Sequence, residues 1–346
     1  MSDDTQHSDA LPHSALGITP VRHSYPLLVR DYSFATAVSL VCRSLPYALA
    51  RFGVQLGFTV GVIIWLIVMF GGAAWLGTHI AQAFGWVWFL VCLFGAGWVW
   101  GTILRYMMHL IECGHVAVLT ELITRGRVGN GSESMFGYGK RIVTERFGEV
   151  NLLFGLNALV RGVLRTFHRT LDWIAEIVPF PGLESISSLI NVVLRAATRY
   201  LDKVIFSYNL ARNDGDPWRG AREGIIYYCQ NAKPVLKTSI WTVIQEYAVT
   251  FVLWIVLMSP AAAITVMMPQ SVREAGGLVT VIIAILLTAA FRSAFIKPIF
   301  LVKMMIRFHT LVENQPINEA WDARLSEISD KFRNLVQRGA TAMRKV

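Results

Sequence analysis

GVIIWLIVMFGGAAWLG, residues 61–77, decides the fold class of this chain. The stretch has no charged side chain and lies within a longer apolar segment at 54–78. A helix needs about 20 mostly apolar residues to cross the hydrocarbon core of a bilayer. Because an unpaired backbone group is costly in lipid, the segment predicts a transmembrane helix.

Three further segments have the same character, at 84–108, 239–266 and 277–302. Short polar breaks separate the first from the second and the third from the fourth, so neighbouring segments are expected to pair as hairpins. The sequence therefore predicts an all-α fold: a polytopic helical membrane protein with four transmembrane helices in two hairpins, plus interfacial amphipathic helices.

The composition agrees with this fold class. Of 346 residues, 54% are hydrophobic and only 16% are charged, and the formal net charge is +9. The basic residues flank the apolar segments, which favours membrane lipids, anionic ones in particular, over nucleic acid as partners. A homo-oligomer or a membrane complex is a further expectation for the partners.

The distribution of basic residues also predicts orientation. Arg43 and Arg51 precede the first span, Arg105 ends the second and Lys297 ends the fourth, whereas the two hairpin tips carry almost no positive charge. Basic flanks remain in the cytosol. Both termini are therefore predicted to be cytosolic, with the protein in a plasma or bacterial inner membrane.

Five segments follow from these patterns. They are a disordered cytosolic tail at 1–28, an amphipathic entry segment with the first transmembrane hairpin at 29–126, a basic amphipathic helical hairpin at the membrane interface at 127–237, the second transmembrane hairpin at 238–306, and a cytosolic amphipathic C-terminal helix at 307–346.

The middle segment contains two amphipathic patterns, at 150–177 and from 184 to about 208. Apolar residues recur at helical spacing on one face and basic residues occupy the other. Such helices lie in the interface, dock on the spans as a partly immersed hairpin, or cross the membrane if their charges line a cavity. The basic residues expected to face lipid are Arg161, Arg165, Arg169, Arg195, Arg199 and Lys203. A shorter helix follows, with Asp216 as its N-cap and Pro217 at its first position.

The C-terminal stretch 316–346 has apolar residues at helical spacing and predicts one amphipathic helix. Two roles stay open for it. It packs on the membrane core, or it serves as a docking element for a partner protein.

No enzyme class is supported by a motif. The glycine-rich stretch 126–140 ends in GYGK but has Ser134 where a phosphate-binding loop needs glycine, and it is followed by Arg141 where such a loop needs Ser or Thr. No catalytic, cofactor or metal site is predicted, and the chain is not expected to be an enzyme.

Ionisable residues inside apolar helices are the stronger functional signal, because each is costly in lipid unless it meets water, a partner or a substrate. Arg105, His109 and Glu112 share one helical face at the end of the second span, and Glu246 and Arg292 lie within the third and fourth. Glu246 is expected to pair with Arg292 or Arg105. These residues either line a substrate path or form structural ion pairs.

The second half of the chain resembles a known family. The segments LLFGLNALVRGVLRTFHRTLDWI, RYLDKVIFSYNLA and WRGAREGIIYYCQNA, followed by two spans and a charged C-terminal helix, are similar to the C-terminal half of the choline transporter-like family. The likeness covers roughly 150–346. It implies that Tyr208 and Asn209 line a transport core.

Two functions follow as hypotheses. The first is a transporter or channel-like protein for a small organic cation such as choline. The second is a non-transporting membrane scaffold or subunit that binds anionic lipid and assembles a larger complex.

Overall fold

A computed structural model describes residues 25–129, 133–147, 150–169, 187–212 and 216–343. These residues form α-helices and a single π-helical turn, and no strand occurs among them, so the predicted all-helical class is confirmed. The helices are α1 (Phe34–Arg43), α2 (Leu45–His79), α3 (Gln82–Arg125), α4 (Met135–Phe147), α5 (Val150–His168), α6 (Ser187–Arg212), α7 (Pro217–Gln230), α8 (Ala232–Met267), α9 (Gln270–Phe291), α10 (Lys297–Val312), α11 (Glu319–Ile328) and α12 (Asp330–Met343), with the π-turn at Arg292–Ile296 between α9 and α10.

Four stretches of helix are long and apolar enough to cross a membrane: Leu45–His79, Gly101–Arg125, Ala232–Met267 and Gly276–Val312. They are consistent with an integral, multi-pass membrane protein. The second stretch starts later than the predicted 84–108, but α3 contains both ranges in one continuous helix.

The long helices exceed the thickness of a bilayer. Helix α2 has 35 residues and α3 has 44. At about 1.5 Å per residue these lengths are roughly 52 and 66 Å, against a hydrocarbon core of about 30 Å. Each helix therefore has a part that projects beyond its apolar segment, at the end where the basic residues lie.

These projecting ends form the centre of a compact helical unit, which we call the basal domain. It comprises the start of α2, the end of α3 and the start of α8, together with the whole of α1, α4–α7, α10, α11 and α12. Helix α6 is central, because it packs against α3, α5, α7, α8 and α10. Tyr208, Phe308 and Leu119 are fully buried in this core.

The other parts of α2, α3, α8 and α9, residues 54–100 and 247–291, form what we call the membrane layer. Helix α2 packs along α3, α8 packs along α9, and α2 contacts α9. Large apolar side chains such as Phe94, Ile67 and Phe251 are exposed on this layer. Surfaces of this kind require an apolar solvent or partner.

Helices α5 and α6 lie in the two segments for which interfacial amphipathic helices were predicted, and protein covers their apolar faces. Leu156, Val163 and Phe167 of α5 and Leu201 and Ile205 of α6 are buried in the basal core. Helix α5 ends at His168. The predicted continuation to 177 and the turn that follows it lie outside the described residues.

The C-terminal stretch differs from the single helix predicted for it. Ser329 has an extended backbone and separates α11 from α12. Its hydroxyl accepts a hydrogen bond from the backbone N–H of Phe332, as an N-cap does for a new helix. The capping serine thus allows both short helices to pack on the basal domain, through Leu325 and Phe332.

Residues 1–24 of the predicted N-terminal tail lie outside the described residues. The last four residues of that segment are part of the fold. Leu27 is buried, and the backbone N–H of Leu28 donates to the carbonyl of Ile123. Tyr25 shares a 2.6 Å hydrogen bond with His309.

Candidate functional site

A cavity of about 370 Å³ lies where the membrane layer meets the basal domain. Helices α2, α3, α6, α8 and α10 and the π-turn contribute to its wall. The lining residues are Arg51, Gln55, Gly101, Leu104, Arg105, Met108, Glu112, Tyr200, Lys203, Glu246, Arg292, Ser293, Lys297 and Leu301.

Glu112 of α3 is shared by two cations in this cavity. Its Oε1 atom lies 3.0 Å from the Lys203 ammonium and 3.4 Å from the Arg51 guanidinium. The Arg51 side chain is only 4% exposed, and its buried Nε has no hydrogen-bond partner among the described residues. A desolvated cation is costly unless an anion faces it. One carboxylate therefore compensates two positive charges, one of them deeply buried.

Glu246 of α8 is held by two other residues. The sequence left Arg292 and Arg105 open as its partner, and Arg292 is the one that binds it, at 2.7 Å. The Tyr200 hydroxyl donates to the other carboxylate oxygen of Glu246 at 2.5 Å. The Arg292 guanidinium also stacks over the Tyr247 ring, 4.4 Å from its centre. Both oxygens of Glu246 are thus occupied.

Arg105 and Lys297 complete the charged lining. Neither makes a hydrogen bond or ion pair with a side chain in the part of the chain that the structure describes. In total, five basic side chains and two carboxylates line the cavity. The cavity is therefore strongly positive, and a small anion would reduce the repulsion among its cations.

The π-turn explains how Arg292 and Lys297 reach the same cavity. Five residues apart on a regular α-helix, they would point about 140° away from each other. Pro298 has no N–H to donate to the carbonyl of Ala294, and the N–H of Lys297 bonds instead to the carbonyl of Arg292. The wider turn places both cations in the lining. Such turns are frequent at functional sites.

Lys203 connects the cavity to a second ion pair on α6. Burial lowers the pKa of its ammonium, but Glu112 and Asp202 outweigh burial and raise that pKa above its ordinary value, so Lys203 stays charged. Burial raises the pKa of the Asp202 carboxyl, and the nearby Lys203 and Arg161 only partly offset this effect. Arg161 binds Asp202 at 2.8 Å.

The other predicted functional residues lie elsewhere. His109 contacts Cys113, with 3.6 Å between Nε2 and Sγ, and does not line the cavity. Tyr208 and Asn209 are buried between α6 and α7: the Tyr208 hydroxyl donates to Glu223, and the Asn209 amide donates to the carbonyl of Pro217.

The six basic residues predicted to face lipid divide into three groups. Lys203 lines the cavity and Arg161 forms the ion pair with Asp202. Arg165 and Arg169 are exposed on the basal domain. The side chains of Arg195 and Arg199 lie outside the described part of α6.

Three main residues of the cavity were not predicted as site residues: Arg51, Tyr200 and Lys297. Arg51 has a sequence signal, since it lies one turn before the first apolar segment and fits the face that carries Gln55. Lys297 has none, because its position depends on the π-turn. Tyr200 lies on α6, whose contact with the long helices is a tertiary feature.

A second cavity, of about 510 Å³, lies beside the loop that follows α3. Four of its five charged lining residues are paired: Arg125 binds Glu121 at 2.9 Å, and Arg141 binds Glu133 at 3.0 Å. Gly129 and Glu133 also line it, and the residues between them in the sequence, 130–132, lie outside the described residues. Among the described residues, no group of three or more His, Cys, Asp or Glu side chains could hold a metal ion.

No protein-family model, curated protein or solved structure matches this chain. The resemblance to the choline transporter-like family therefore stays a prediction, and the cavity is the feature from which a function can be inferred.

Proposed function

We propose that this protein is a membrane-embedded scaffold that binds a small anionic group, of the phosphate or carboxylate class, in the cavity between its membrane layer and its basal domain. The proposal is carried by one observation: five basic side chains face two carboxylates there, and both carboxylates are already bound.

The charge of the cavity argues against the organic cation suggested by the family resemblance. A quaternary ammonium ion needs a free carboxylate or an open aromatic face. Glu246 is occupied by Arg292 and Tyr200, and Arg292 covers the ring of Tyr247. A cation entering this site would instead meet Arg105 and Lys297.

The membrane layer supports binding rather than transport. Between Gln55 and His79 of α2 the sequence has no charged residue, and the same is true between Glu246 of α8 and Arg273. Transport paths for ions are lined by polar or ionisable groups within the membrane. The charged groups of this protein are concentrated at one end of its spans.

We further propose that α2–α3 and α8–α9 are two transmembrane hairpins with the basal domain and both termini in the cytosol. The accumulation of basic residues at the basal end supports this orientation. Cys42 is the exposed one of the four cysteines. It lies on α1 at that end, so a membrane-impermeant maleimide should label it in inside-out vesicles and leave it unlabelled in intact cells. Labelling in intact cells would reverse the orientation.

Anion binding can be tested on the purified full chain in phosphatidylcholine nanodiscs. Inorganic phosphate is added to one sample, and phosphatidylglycerol is built into the disc of another, while the unfolding temperature is measured. A ligand present at 100 times its dissociation constant stabilises the folded state by about 2.7 kcal/mol. We expect the wild type to be stabilised in at least one sample, and Lys297→Gln to lose this gain.

A flux assay provides the complementary test. Liposomes that contain the wild type are expected to take up neither radiolabelled choline nor phosphate. Uptake of either solute that depends on Glu246 and Arg292 would establish transport in place of scaffolding. In the nanodisc experiment, a lack of stabilisation in both samples would rule out anion binding.

A further inference from the structure

We infer that the anionic group is the phosphate of an acidic membrane lipid, which enters the cavity sideways from the leaflet through the gap between α3 and α8. The inference rests on the proposed anion-binding function and names the source of the anion. Four properties of the cavity support it: its depth, its opening, its mixed lining and the arrangement of its cations.

The depth of the cavity matches the plane of lipid headgroups. Arg51 precedes and Arg105 follows residues 54–100 of the membrane layer, and Glu246 precedes and Arg292 follows residues 247–291 of that layer. All four line the cavity. The cavity therefore lies at the level where the membrane layer ends, which is where phosphates of the adjacent leaflet are expected.

The contacts between helices indicate the side from which a lipid would enter the cavity. Helix α2 lies at the back, packed against α3 and α9, and α6 forms the floor by packing on α3, α8 and α10. The outer walls are α3 and α8, which do not pack along each other within the described residues. The floor lies between the cavity and the basal core, so the entry route that we infer is the space between α3 and α8.

The lining is apolar in part. Leu104, Met108 and Leu301 line the cavity beside its charged groups. A Cβ atom added to Gly101, at the membrane end of this face of α3, would meet nothing within 4 Å. The space beside Gly101 suits the glycerol and first acyl carbons of a lipid, whereas a fully hydrated inorganic ion gains little from apolar walls.

The unpaired cations select an acidic lipid over a zwitterionic one. Arg105 is exposed at the rim and Lys297 is half-buried deeper in the cavity. A lipid phosphate placed between them would gain charge-assisted hydrogen bonds from both and from the buried guanidinium of Arg51. In phosphatidylcholine the ammonium group attached to the same phosphate would be repelled by these cations.

The experiment measures which lipid stays bound. The purified full chain is exchanged into neutral detergent with equal amounts of phosphatidylglycerol and phosphatidylcholine, and retained lipid is counted by native mass spectrometry. We expect retention of one phosphatidylglycerol, and about a tenfold weaker affinity in Lys297→Gln and in Arg105→Gln, the value of one charge-assisted hydrogen bond. Arg105 is exposed, so its replacement leaves folding intact even if Lys297→Gln unfolds the protein.

Matched controls remove a positive charge outside the cavity. Lys303 lies on the same helix as Lys297 but bonds to Gln245, so Lys303→Gln is the first control. The second, Arg165→Gln, removes an exposed charge of the basal domain. Both should retain phosphatidylglycerol as the wild type does. Gly101→Leu, which fills the space beside Gly101, should weaken the binding of phosphatidylglycerol without affecting the binding of glycerol phosphate.

The outcomes separate this inference from the proposed function. Binding of inorganic or glycerol phosphate without retention of phosphatidylglycerol would overturn the inference of a lipid ligand but support the anion site. Binding of none of the three would overturn the lipid inference and the proposed anion-binding function. Phosphatidylglycerol that is lost in Arg165→Gln but kept in Lys297→Gln and Arg105→Gln would place the lipid on the outer surface and overturn the inference.

Discussion

The basal domain and the membrane layer are both rich in apolar side chains, but protein covers them in one and not in the other. In the stretch Gly101–Arg125, 61% of the most apolar window is buried, against 11% in Leu45–His79 and 6% in Ala232–Met267. Single helices such as α3 belong to both regions. Apolar composition therefore does not decide how a segment is stabilised, and the cost of truncating a side chain should depend on its region.

The largest effect is expected from a buried aromatic residue of the basal domain. Phe332 of α12 is fully buried, so Phe332→Ala should lower the free energy of unfolding by about 3–5 kcal/mol through lost packing and a cavity. Phe94 of the membrane layer is 73% exposed to its surroundings, and Phe94→Ala should cost far less. Urea titration of the solubilised protein, followed by circular dichroism, measures both.

Equal costs for the two variants would contradict the division into regions. Such a result would mean that the surface around Phe94 is covered, for instance by another copy of the chain. The urea titrations of both variants should then be repeated at several protein concentrations.

The second prediction concerns acid stability, which should originate in the basal domain. Burial lowers the pKa of the His168 imidazole to about 4, and its Nε2 lies 2.7 Å from the Tyr228 hydroxyl. In the unfolded chain this pKa is about 6.5. As the pH falls, the imidazole of the unfolded state is therefore protonated before that of the folded state, which favours unfolding. The contribution of His168 to the free energy of unfolding is fully present above pH 6.5 and is lost toward pH 4, a loss on the order of 3 kcal/mol.

His168→Gln keeps a hydrogen-bonding side chain without a titrating group, so it should flatten this part of the stability curve. The measurement is the free energy of unfolding of both proteins between pH 7 and 4. Parallel curves would show that acid lability arises at another group.

A smaller effect is expected in the buried network around His309. Ser207 shares a 2.8 Å hydrogen bond with His309 Nε2 and another of 2.8 Å with Thr120. Ser207→Ala leaves these buried groups without their shared partner and should cost about 1–3 kcal/mol. In the membrane layer, the Thr280 hydroxyl bonds, among the described residues, only to the carbonyl of Gly276 in its own helix, so Thr280→Ala should be nearly neutral.

Thermal unfolding of the two variants beside the wild type decides this point. A Thr280→Ala variant as unstable as Ser207→Ala would indicate that polar contacts hold the membrane layer together as they hold the basal core.

The sequence was sufficient for the features that depend on local pattern. Four long apolar stretches predicted an all-helical chain with four candidate spans, and Asp216 before Pro217 predicted the start of α7, where its carboxylate accepts from the N–H of Trp218 at 2.9 Å. Features that depend on tertiary packing were not accessible. An amphipathic helix has the same pattern whether lipid or protein covers its apolar face, and protein covers α5 and α6.

The site divides in the same way. Arg105, Glu112, Glu246 and Arg292 were found because charge is conspicuous within apolar sequence. The sequence did not assign Lys203 to this group, because α6 is brought to the spans only by folding. Lys297 enters the cavity through the π-turn, and nothing in a regular helical pattern places it beside Arg292.

The smallest effect is expected at a helix cap. Helix α7 starts at the Asp216 cap, whereas α2, α3, α8 and α9 begin without a side-chain cap. Asp216→Ala should therefore cost about 1 kcal/mol, and Asp216→Asn, which keeps the acceptor, should cost only a few tenths. Urea titration resolves the difference. If Asn and Ala are equally destabilising, the carboxylate charge at the helix start matters more than the hydrogen bond, and the long uncapped helices differ from α7 in electrostatics rather than in capping.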